Sequence, residues 1–198
     1  VLGLSSLWLK VAGGAKSEIL LAAARGAPRS GGVLEIGAYC GYSAVRLASA
    51  LPGVTVATLE VDPMNMVVAR NVIAFAGLAH AVDVWTGHSQ DLLPRLRRCR
   101  PISVVFMDQR GSRYEEDLAT LRRRGLLHSG AVVVADNVLK PGAPLFLWHV
   151  VAGDAYRTQI ARVGEFAMPS EDWVSLSVCR FLQARADVAA VEAQPPEE

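Results

Sequence analysis

Cysteine is scarce in this sequence, and the few cysteines fit no cross-linking or metal-binding pattern. Cys40, Cys99 and Cys179 are widely separated in a chain of 198 residues, and their number is odd. This excludes a disulfide framework of the kind found in small secreted domains and a zinc site built on paired cysteines. We therefore expect a reducing compartment and predict a cytoplasmic location.

An excess of charge of either sign is also missing. The chain carries 20 Lys and Arg against 19 Asp and Glu, a formal net charge of +1. Without a strong overall field, the composition argues against a nucleic-acid partner and favours a small-molecule substrate. No uninterrupted apolar run reaches the roughly 18–20 residues that cross a bilayer, so we expect no membrane contact from this region.

Apolar residues, by contrast, are plentiful. They make up 52% of the sequence, which is enough for one domain with a sizeable core. We predict that this domain spans residues 1–183. Residues 184–198 are rich in Ala, Pro and Glu and have little to bury, so we expect a flexible tail there. Because position 1 is Val, we also expect the chain to be part of a longer polypeptide.

Short β-branched apolar runs alternate with amphipathic stretches, and this alternation indicates βαβ units. The predicted strands cover residues 33–36, 54–59, 81–85, 102–107 and 131–135, and the predicted helices cover residues 16–24, 42–50, 63–76, 91–98 and 113–124. Two further β-like runs, residues 156–163 and 173–181, are typical of an antiparallel hairpin. The sequence therefore predicts an α/β fold with a doubly wound, mostly parallel sheet and a C-terminal antiparallel hairpin.

Two glycines lie in the segment after the first predicted strand, residues 35–43 (Glu-Ile-Gly-Ala-Tyr-Cys-Gly-Tyr-Ser). Gly37 and Gly41 allow the backbone to approach a ligand closely just before a helix begins. Their spacing does not match G-x-G-x-x-G, which argues against a dinucleotide with a pyrophosphate. A ligand without a pyrophosphate is favoured, and a plain strand-to-helix turn is the alternative.

Polar residues follow the second and third predicted strands, at the sheet edge where ligands bind in open α/β folds. Glu60 ends the second strand, where a carboxylate can accept hydrogen bonds from both hydroxyls of a ribose. This favours an adenosine ligand, and a solvated acid at the strand end is the alternative. Residues 87–91 (Gly-His-Ser-Gln-Asp) could contact an adenine edge or only cap the next helix, and we assign no role to His88.

Oxygen-bearing side chains follow the fourth and fifth predicted strands. Asp108 comes directly after one strand, and Asp136 and Asn137 come directly after the next. Because these strand ends meet at one edge of the sheet, the three side chains are candidates for a hard-cation site, and Mg²⁺ prefers such oxygen ligands. The alternative is a polar turn at residues 136–137 and a helix cap at Asp108.

Residues 34–45 (Leu-Glu-Ile-Gly-Ala-Tyr-Cys-Gly-Tyr-Ser-Ala-Val) are similar, almost residue for residue, to the cofactor loop of animal catechol O-methyltransferases. Further matches follow in that family's order and spacing at residues 75–77, 87, 89–91, 108, 113–114, 135–138 and 141–144. Several separate motifs agree where a single one could arise by chance. Over roughly residues 8–165, the chain therefore resembles this family, whose members have a Rossmann-like class I methyltransferase fold.

The resemblance implies S-adenosylmethionine as cofactor and methyl donor. The implied cofactor-binding residues are Ala12, Glu35, Gly37, Tyr39, Ser43, Glu60, Val61, Ser89, Gln90 and Asp108. It further implies that Asp108, Asp136 and Asn137 hold Mg²⁺, which would bind both oxygens of a small aromatic diol or phenol. The implied reaction is methyl transfer to a hydroxyl of this catechol-like substrate.

On the acceptor side, the resemblance implies three further contacts. Trp8 and Pro141 correspond to apolar walls around the aromatic ring. Glu165 lies near the sequence position at which the family has a residue that accepts the substrate hydroxyl. With Asp108, it is a candidate catalytic residue. Packing in the core or plain surface exposure are the alternatives for Trp8, Pro141 and Glu165.

The resemblance breaks at Gln109, Arg110 and Gly111, where the family has a His, a Trp and a catalytic Lys. Loss of a positioned general base typically costs about 10²–10⁴ in rate. A hydroxyl bound to a metal can still lose its proton to water, so we expect weakened activity. Lys140 is a candidate substitute amine, and a solvated loop lysine is the alternative for it.

Three classes of function remain open at this point. The first, which we favour, is an active Mg²⁺-dependent methyltransferase. The second is a cofactor-binding pseudoenzyme or assembly module, motivated by Gly111 and by the basic run at residues 95–100. The third is a nucleotide-cofactor oxidoreductase, since a fold alone does not determine chemistry. The absent third glycine and the oxygen-bearing trio argue against this third class.

Overall fold

The computed structural model describes residues 11–96, 101–165 and 170–180. In this part of the chain, seven strands form one sheet in the order β3-β2-β1-β4-β5-β7-β6. The strands are β1 (Gly32–Ile36), β2 (Val56–Glu60), β3 (Val82–Thr86), β4 (Ile102–Met107), β5 (Leu127–Ala135), β6 (Tyr156–Gly164) and β7 (Glu171–Cys179). The helices are α1 (Gly14–Gly26), α2 (Tyr42–Ala50), α3 (Pro63–Phe75), α4 (Ser89–Leu92), α5 (Tyr114–Arg123) and α6 (Pro144–Ala152).

Strands β1 to β5 are parallel, whereas β7 is antiparallel to both β5 and β6. The predicted mostly parallel sheet with a C-terminal antiparallel hairpin is therefore confirmed. From β1 the chain winds outward to β2 and β3, and it then returns to place β4 on the other side of β1. The strand order reverses between β1 and β4, and such a reversal leaves a crevice outside the carboxyl ends of the strands.

The core lies in two layers, one on each face of the sheet. Helices α1, α2 and α3 cover one face, with Leu20, Leu47 and Ile73 buried there. Helices α5 and α6 cover the other face, with Leu118 and Phe146 buried. All six residues of β4 are buried, as expected for a central strand covered on both faces. This double cover holds the carboxyl ends of β1 and β4 in a fixed position.

The predicted helix over residues 91–98 is wrong. Helix α4 ends at Leu92, and a single tight turn, Leu93–Arg95, follows it. Pro94 has no N–H to donate to the preceding turn, and its ring crowds that turn, which explains the early end of the helix. Residues 97–98 of this prediction lie outside the described residues, as do Trp8, Phe181 and the predicted tail.

Helix α6 was not predicted from the sequence. Its residues, Pro-Leu-Phe-Leu-Trp-His-Val-Val-Ala, are apolar nearly all round, so they show no polar stripe with a helical period. Pro144 suits the first turn of a helix, and Phe146 and Val150 are buried one turn apart. Among the described residues, no helix combines the length and apolar character needed to cross a bilayer.

Candidate cofactor and metal-binding cavity

A cavity of about 900 Å³ opens at the carboxyl ends of the parallel strands, beside the reversal between β1 and β4. The predicted site residues that line it are Gly37, Tyr39, Glu60, Val61, Ser89, Gln90, Asp108, Asp136, Asn137, Pro141 and Glu165. Within the described ranges, Ala12, Glu35 and Ser43 do not line it and are instead buried in the surrounding core. Lys140 is exposed and does not line this cavity either.

The loop after β1 requires glycine at two positions. Gly37 has a φ of +104° and Gly41 a φ of +82°, a region that side chains disfavour. A Cβ on Gly37 would lie 2.5 Å from the carbonyl oxygen of Asp108, and one on Gly41 would lie 3.2 Å from Ala69 of α3. The glycines therefore permit close backbone contact with β4 and α3, and they shape the cavity wall through that contact.

Glu60 is buried at the end of β2 and braces the loop after β1. Its Oε2 accepts a hydrogen bond of 2.7 Å from the backbone N–H of Tyr39, and its Oε1 accepts one of 2.9 Å from that of Asp62. Only 6% of the residue is exposed, so the alternative of a solvated strand-end acid is wrong. Each carboxylate oxygen keeps a second lone pair with which it could accept a ligand hydroxyl.

Glu35 is the next-to-last residue of β1 and has no exposed surface. Burial raises the pKa of Glu35 to about 7, against the opposing effect of hydrogen bonds from Ser43 and Thr58. The Thr58 hydroxyl donates to its Oε2, whereas Oε1 has no partner among the described residues. Glu35 is thus placed to support the loop from behind, beneath the cavity wall.

A cluster of acidic residues surrounds the ammonium of Lys16 at the β4–β5 side of the cavity. Lys16 Nζ donates to Asp136 Oδ2 at 2.9 Å, to Glu165 Oε1 at 2.9 Å and to Asp172 Oδ2 at 2.6 Å. The side chains of Lys16, Asp136 and Asp172 are at most 4% exposed. The cluster brings together α1, the end of β5 and the antiparallel hairpin.

Burial and neighbouring charges shift the pKa values of Asp108, Asp136 and Lys16. Burial raises the pKa of Asp108 well above its usual range, and the nearby charge of Asp136 adds to the rise. Burial also raises the pKa of Asp136 to about 6, against the opposing charge of Lys16. Burial alone would lower the pKa of Lys16, but the charge of Asp136 and the hydrogen bonds to Asp172 and Glu165 raise it above its ordinary value. Lys16 therefore stays protonated.

The predicted metal ligands lie on adjacent strand ends. Asn137 has a left-handed backbone with φ +55°, and its side-chain amide donates to Asp172. The Tyr114 hydroxyl lies 3.0 Å from the carbonyl oxygens of both Met107 and Asp136, so it joins the ends of β4 and β5. The structure therefore brings Asp108, Asp136 and Asn137 to one wall of the cavity, as predicted.

Lys16 and Asp172 were missed in the sequence analysis. A signal for Lys16 exists, because α1 buries positions 16, 17, 20, 21 and 24, and a lysine on that otherwise small and apolar face is unusual. Asp172 follows a segment outside the described residues and carries no comparable local signal.

A sequence model of the family described as O-methyltransferase matches residues 19–172, which is most of the chain. The chain belongs to this O-methyltransferase family. Catechol O-methyltransferase of Sus scrofa is 47% identical over 122 residues, covering 60% of this chain and 66% of the relative. The Mus musculus enzyme of the same name is 40% identical over 153 residues, covering 75% and 57%. The predicted resemblance to catechol O-methyltransferases is therefore confirmed.

Other relatives widen this comparison. The transmembrane O-methyltransferase of Homo sapiens is 41% identical over 137 residues, covering 67% of this chain and 47% of the relative. The chain thus spans about half to two thirds of the length of the curated relatives it matches.

Solved O-methyltransferases share the fold. The Bacillus cereus enzyme, solved in complex with SAH, has a TM-score of 0.77 at 23% identity and covers 88% of this chain and 84% of its own. The O-methyltransferase TomG of Streptomyces achromogenes, solved with SAM, has a TM-score of 0.74 at 27% identity, covering 83% and 79%. The class I methyltransferase fold predicted from the sequence is confirmed.

Gly111, where the sequence resemblance to the family breaks, lies against the backbone of the β5–α6 loop. A Cβ on Gly111 would lie 2.4 Å from the carbonyl oxygen of Gly142 and 3.3 Å from the Cβ of Ala143. The backbone between β5 and α6 therefore fills the space that a side chain at position 111 would need. Lys140, on the same loop, is exposed and does not line the cavity, so the structure does not bring this candidate amine into the site.

Proposed function

We propose that this chain is an S-adenosylmethionine-dependent O-methyltransferase domain that methylates a hydroxyl of a catechol-like diol or phenol with the assistance of Mg²⁺. The observation that carries this proposal is the presence of two sets of residues in one cavity. Glu60 and the loop after β1 lie at one side, and the oxygen-bearing side chains that follow β4 and β5 lie at the other. Family membership and the relatives named as catechol O-methyltransferases support the reaction class and the acceptor.

The β1–β2 side of the cavity fits the adenosine part of the cofactor. Glu60 is buried, held by two backbone N–H groups, and retains lone pairs for two ribose hydroxyls. Ser89 and Gln90 line the same cavity beyond β3, where an adenine edge would lie. The solved relatives from Bacillus cereus and Streptomyces achromogenes, which hold SAH and SAM, support this cofactor.

The β4–β5 side fits a hard divalent cation. The raised pKa values of Asp108 and Asp136 reflect burial together with negative charge nearby, which a divalent cation between them would relieve. The described His, Cys, Asp and Glu residues form no ready group of three metal ligands, so the Asn137 oxygen, water and substrate would complete the coordination. Bound there, Mg²⁺ would acidify the acceptor hydroxyl and fix its oxygen in line with the methyl group.

The chain's own residues limit how the acceptor proton leaves. Gly111 offers no base, Lys140 is exposed outside the cavity wall, and Lys16 is held protonated by its three carboxylates. Glu165 lines the cavity with its side chain 24% exposed, and only its Oε1 bonds to Lys16. We assign Glu165 and solvent as the acceptors of the proton.

Calorimetric titration of the chain with S-adenosylmethionine, with and without Mg²⁺, followed by turnover of a generic catechol, tests this proposal. We expect binding of the cofactor and slow, EDTA-sensitive methylation. Binding without turnover would overturn the reaction and leave a cofactor-binding module. Binding of a nicotinamide dinucleotide in place of S-adenosylmethionine would overturn the whole assignment.

A further inference from the structure

The position of Lys16 in the acid cluster resembles that of a metal ion in a coordination site. Its ammonium lies within 2.9 Å of oxygens from Asp136, Glu165 and Asp172, and only 4% of its side chain is exposed. Asp136 follows β5, whereas Glu165 and Asp172 belong to the antiparallel hairpin, and Lys16 comes from helix α1. A buried charge needs such partners, because an unpaired ammonium or carboxylate is costly to bury.

One of the carboxylates is shared with the proposed Mg²⁺ site. Asp136 Oδ2 accepts from Lys16 Nζ, and Asp136 Oδ1 accepts from the backbone N–H of Asn137 at 2.9 Å. The side-chain amide of Asn137 in turn donates to Asp172, the carboxylate closest to Lys16. Lys16 therefore uses the charge and a lone pair of a residue that a divalent cation would also use.

We propose that Lys16 is an intramolecular competitor of the divalent cation: its ammonium offsets part of the negative charge of Asp136, Glu165 and Asp172, keeps the acid cluster assembled without metal, and weakens the affinity of the cavity for metal. This inference rests on the proposed metal site. It predicts that the native fold needs no metal, and that the metal binds beside a positive charge which opposes it.

Lys16→Met tests this competition, because methionine fills a similar volume without charge. The probe is Mn²⁺, titrated into the whole chain while the free ion is followed by electron paramagnetic resonance. We expect Lys16→Met to bind Mn²⁺ at least about tenfold more tightly than the wild type, since a nearby like charge has been removed. Thermal unfolding of the variant in EDTA should occur at a lower temperature, and Mg²⁺ should restore more stability to it than to the wild type.

Arg162→Met is the matched control. Arg162 lies on β6 near Glu165 and pairs at 3.1 Å with Glu171, and both side chains are more than half exposed. This variant loses the same charge from the hairpin that carries Glu165 and Asp172, without touching the cluster, so its Mn²⁺ affinity should stay close to that of the wild type.

The outcomes separate this inference from the proposed function. Equal or weaker Mn²⁺ binding by Lys16→Met, with binding by the wild type intact, would overturn the competition alone. Absence of Mn²⁺ binding in both proteins would overturn the competition and the metal site together. Binding of S-adenosylmethionine by the same samples would still support the proposed cofactor. If Lys16→Met does not fold, the wild type decides: strong stabilisation of it by Mg²⁺ over EDTA would overturn the inference, and a small effect would support it.

Discussion

The two sides of the cavity differ in how their polar groups are satisfied. On the β1–β2 side, Glu60 is held by backbone N–H groups of its own and the neighbouring loop, and the glycines fit tightly against β4 and α3. On the β4–β5 side, three carboxylates crowd around a single ammonium, and burial raises the pKa values of Asp108 and Asp136. The side proposed for the cofactor is thus built from local, neutral hydrogen-bond donors, whereas the side proposed for the acceptor is built from charge pairs between residues that are distant in the sequence.

This difference indicates which side of the cavity tolerates substitutions. The loop after β1 carries the sequence resemblance to the family, and a substitution there would strain the backbone or leave a buried polar group unpaired. The departures lie on the other side, at residues 109–111, where the β5–α6 loop closes over Gly111. The proposed cofactor is therefore expected to bind as it does in relatives, while acceptor chemistry is expected to differ.

The largest effect is expected from removing a charge on the acceptor side. Asp136→Ala should lower turnover of a catechol by at least about 10²-fold, since the variant loses the carboxylate that we propose as a ligand of Mg²⁺. Affinity for S-adenosylmethionine, measured by calorimetry, should change little. Asp154→Ala, at an exposed position between α6 and β6, is the control of equal charge. Full activity in Asp136→Ala would show that the β4–β5 side of the cavity does not hold the metal and the acceptor.

A smaller effect is expected from the cofactor side. Glu60→Ala should weaken the cofactor roughly tenfold, because lost hydrogen bonds to buried hydroxyls cost about 1–3 kcal/mol. Calorimetric titration would measure this loss, with Asp83→Ala on exposed strand β3 as the control. If the affinity stays unchanged, the ribose does not bind at Glu60.

Position 111 tests how tightly the β5–α6 loop packs against the residues after β4. Gly111→Ala should lower the free energy of unfolding by about 1–3 kcal/mol, because its Cβ would overlap the Gly142 carbonyl. Gly153→Ala has nothing within 4 Å of its Cβ and should be nearly neutral in the same denaturant titration. For the same reason, Gly111→Lys should not restore a catalytic base unless the loop moves. A clear gain in turnover by Gly111→Lys would show that the loop yields easily.

The smallest effect concerns Glu35 and pH. Burial raises the pKa of Glu35 from 4.5 to about 7, so its contribution to stability is present below about pH 4.5 and is lost as the pH rises through 7. The charge of Glu60 adds to this rise, and donors from Ser43 and Thr58 oppose it. Glu35→Gln should therefore make the free energy of unfolding less dependent on pH between about pH 5 and pH 8.

Chemical denaturation across this pH range measures the dependence. Glu18→Gln, with its side chain 69% exposed, is the control. Identical pH dependence in Glu35→Gln and the wild type would place the ionisation elsewhere.

The sequence predicted what depends on local patterns. Strand and helix positions followed apolar periodicity, and Glu60, Asp108 and Asp136 were found because parallel strands present their carboxyl ends at one edge. The Lys16 contacts could not be found in this way, since Lys16 is 120 residues from Asp136 and 156 from Asp172. The closure over Gly111 also depends on tertiary packing, and α6 has no polar face to reveal its period.

The hydroxyl of Tyr114 links the strand ends at the cavity to the packing between α5 and α6. It joins the carbonyls at the ends of β4 and β5, and its ring meets Phe146 of α6 edge to face, with centroids 5.6 Å apart. The spacing of Asp108 and Asp136 therefore depends on the position of Tyr114, which helix α5 holds. Substitutions in the packing between α5 and α6 are then expected to change the distance between Asp108 and Asp136, although the substituted residues do not line the cavity.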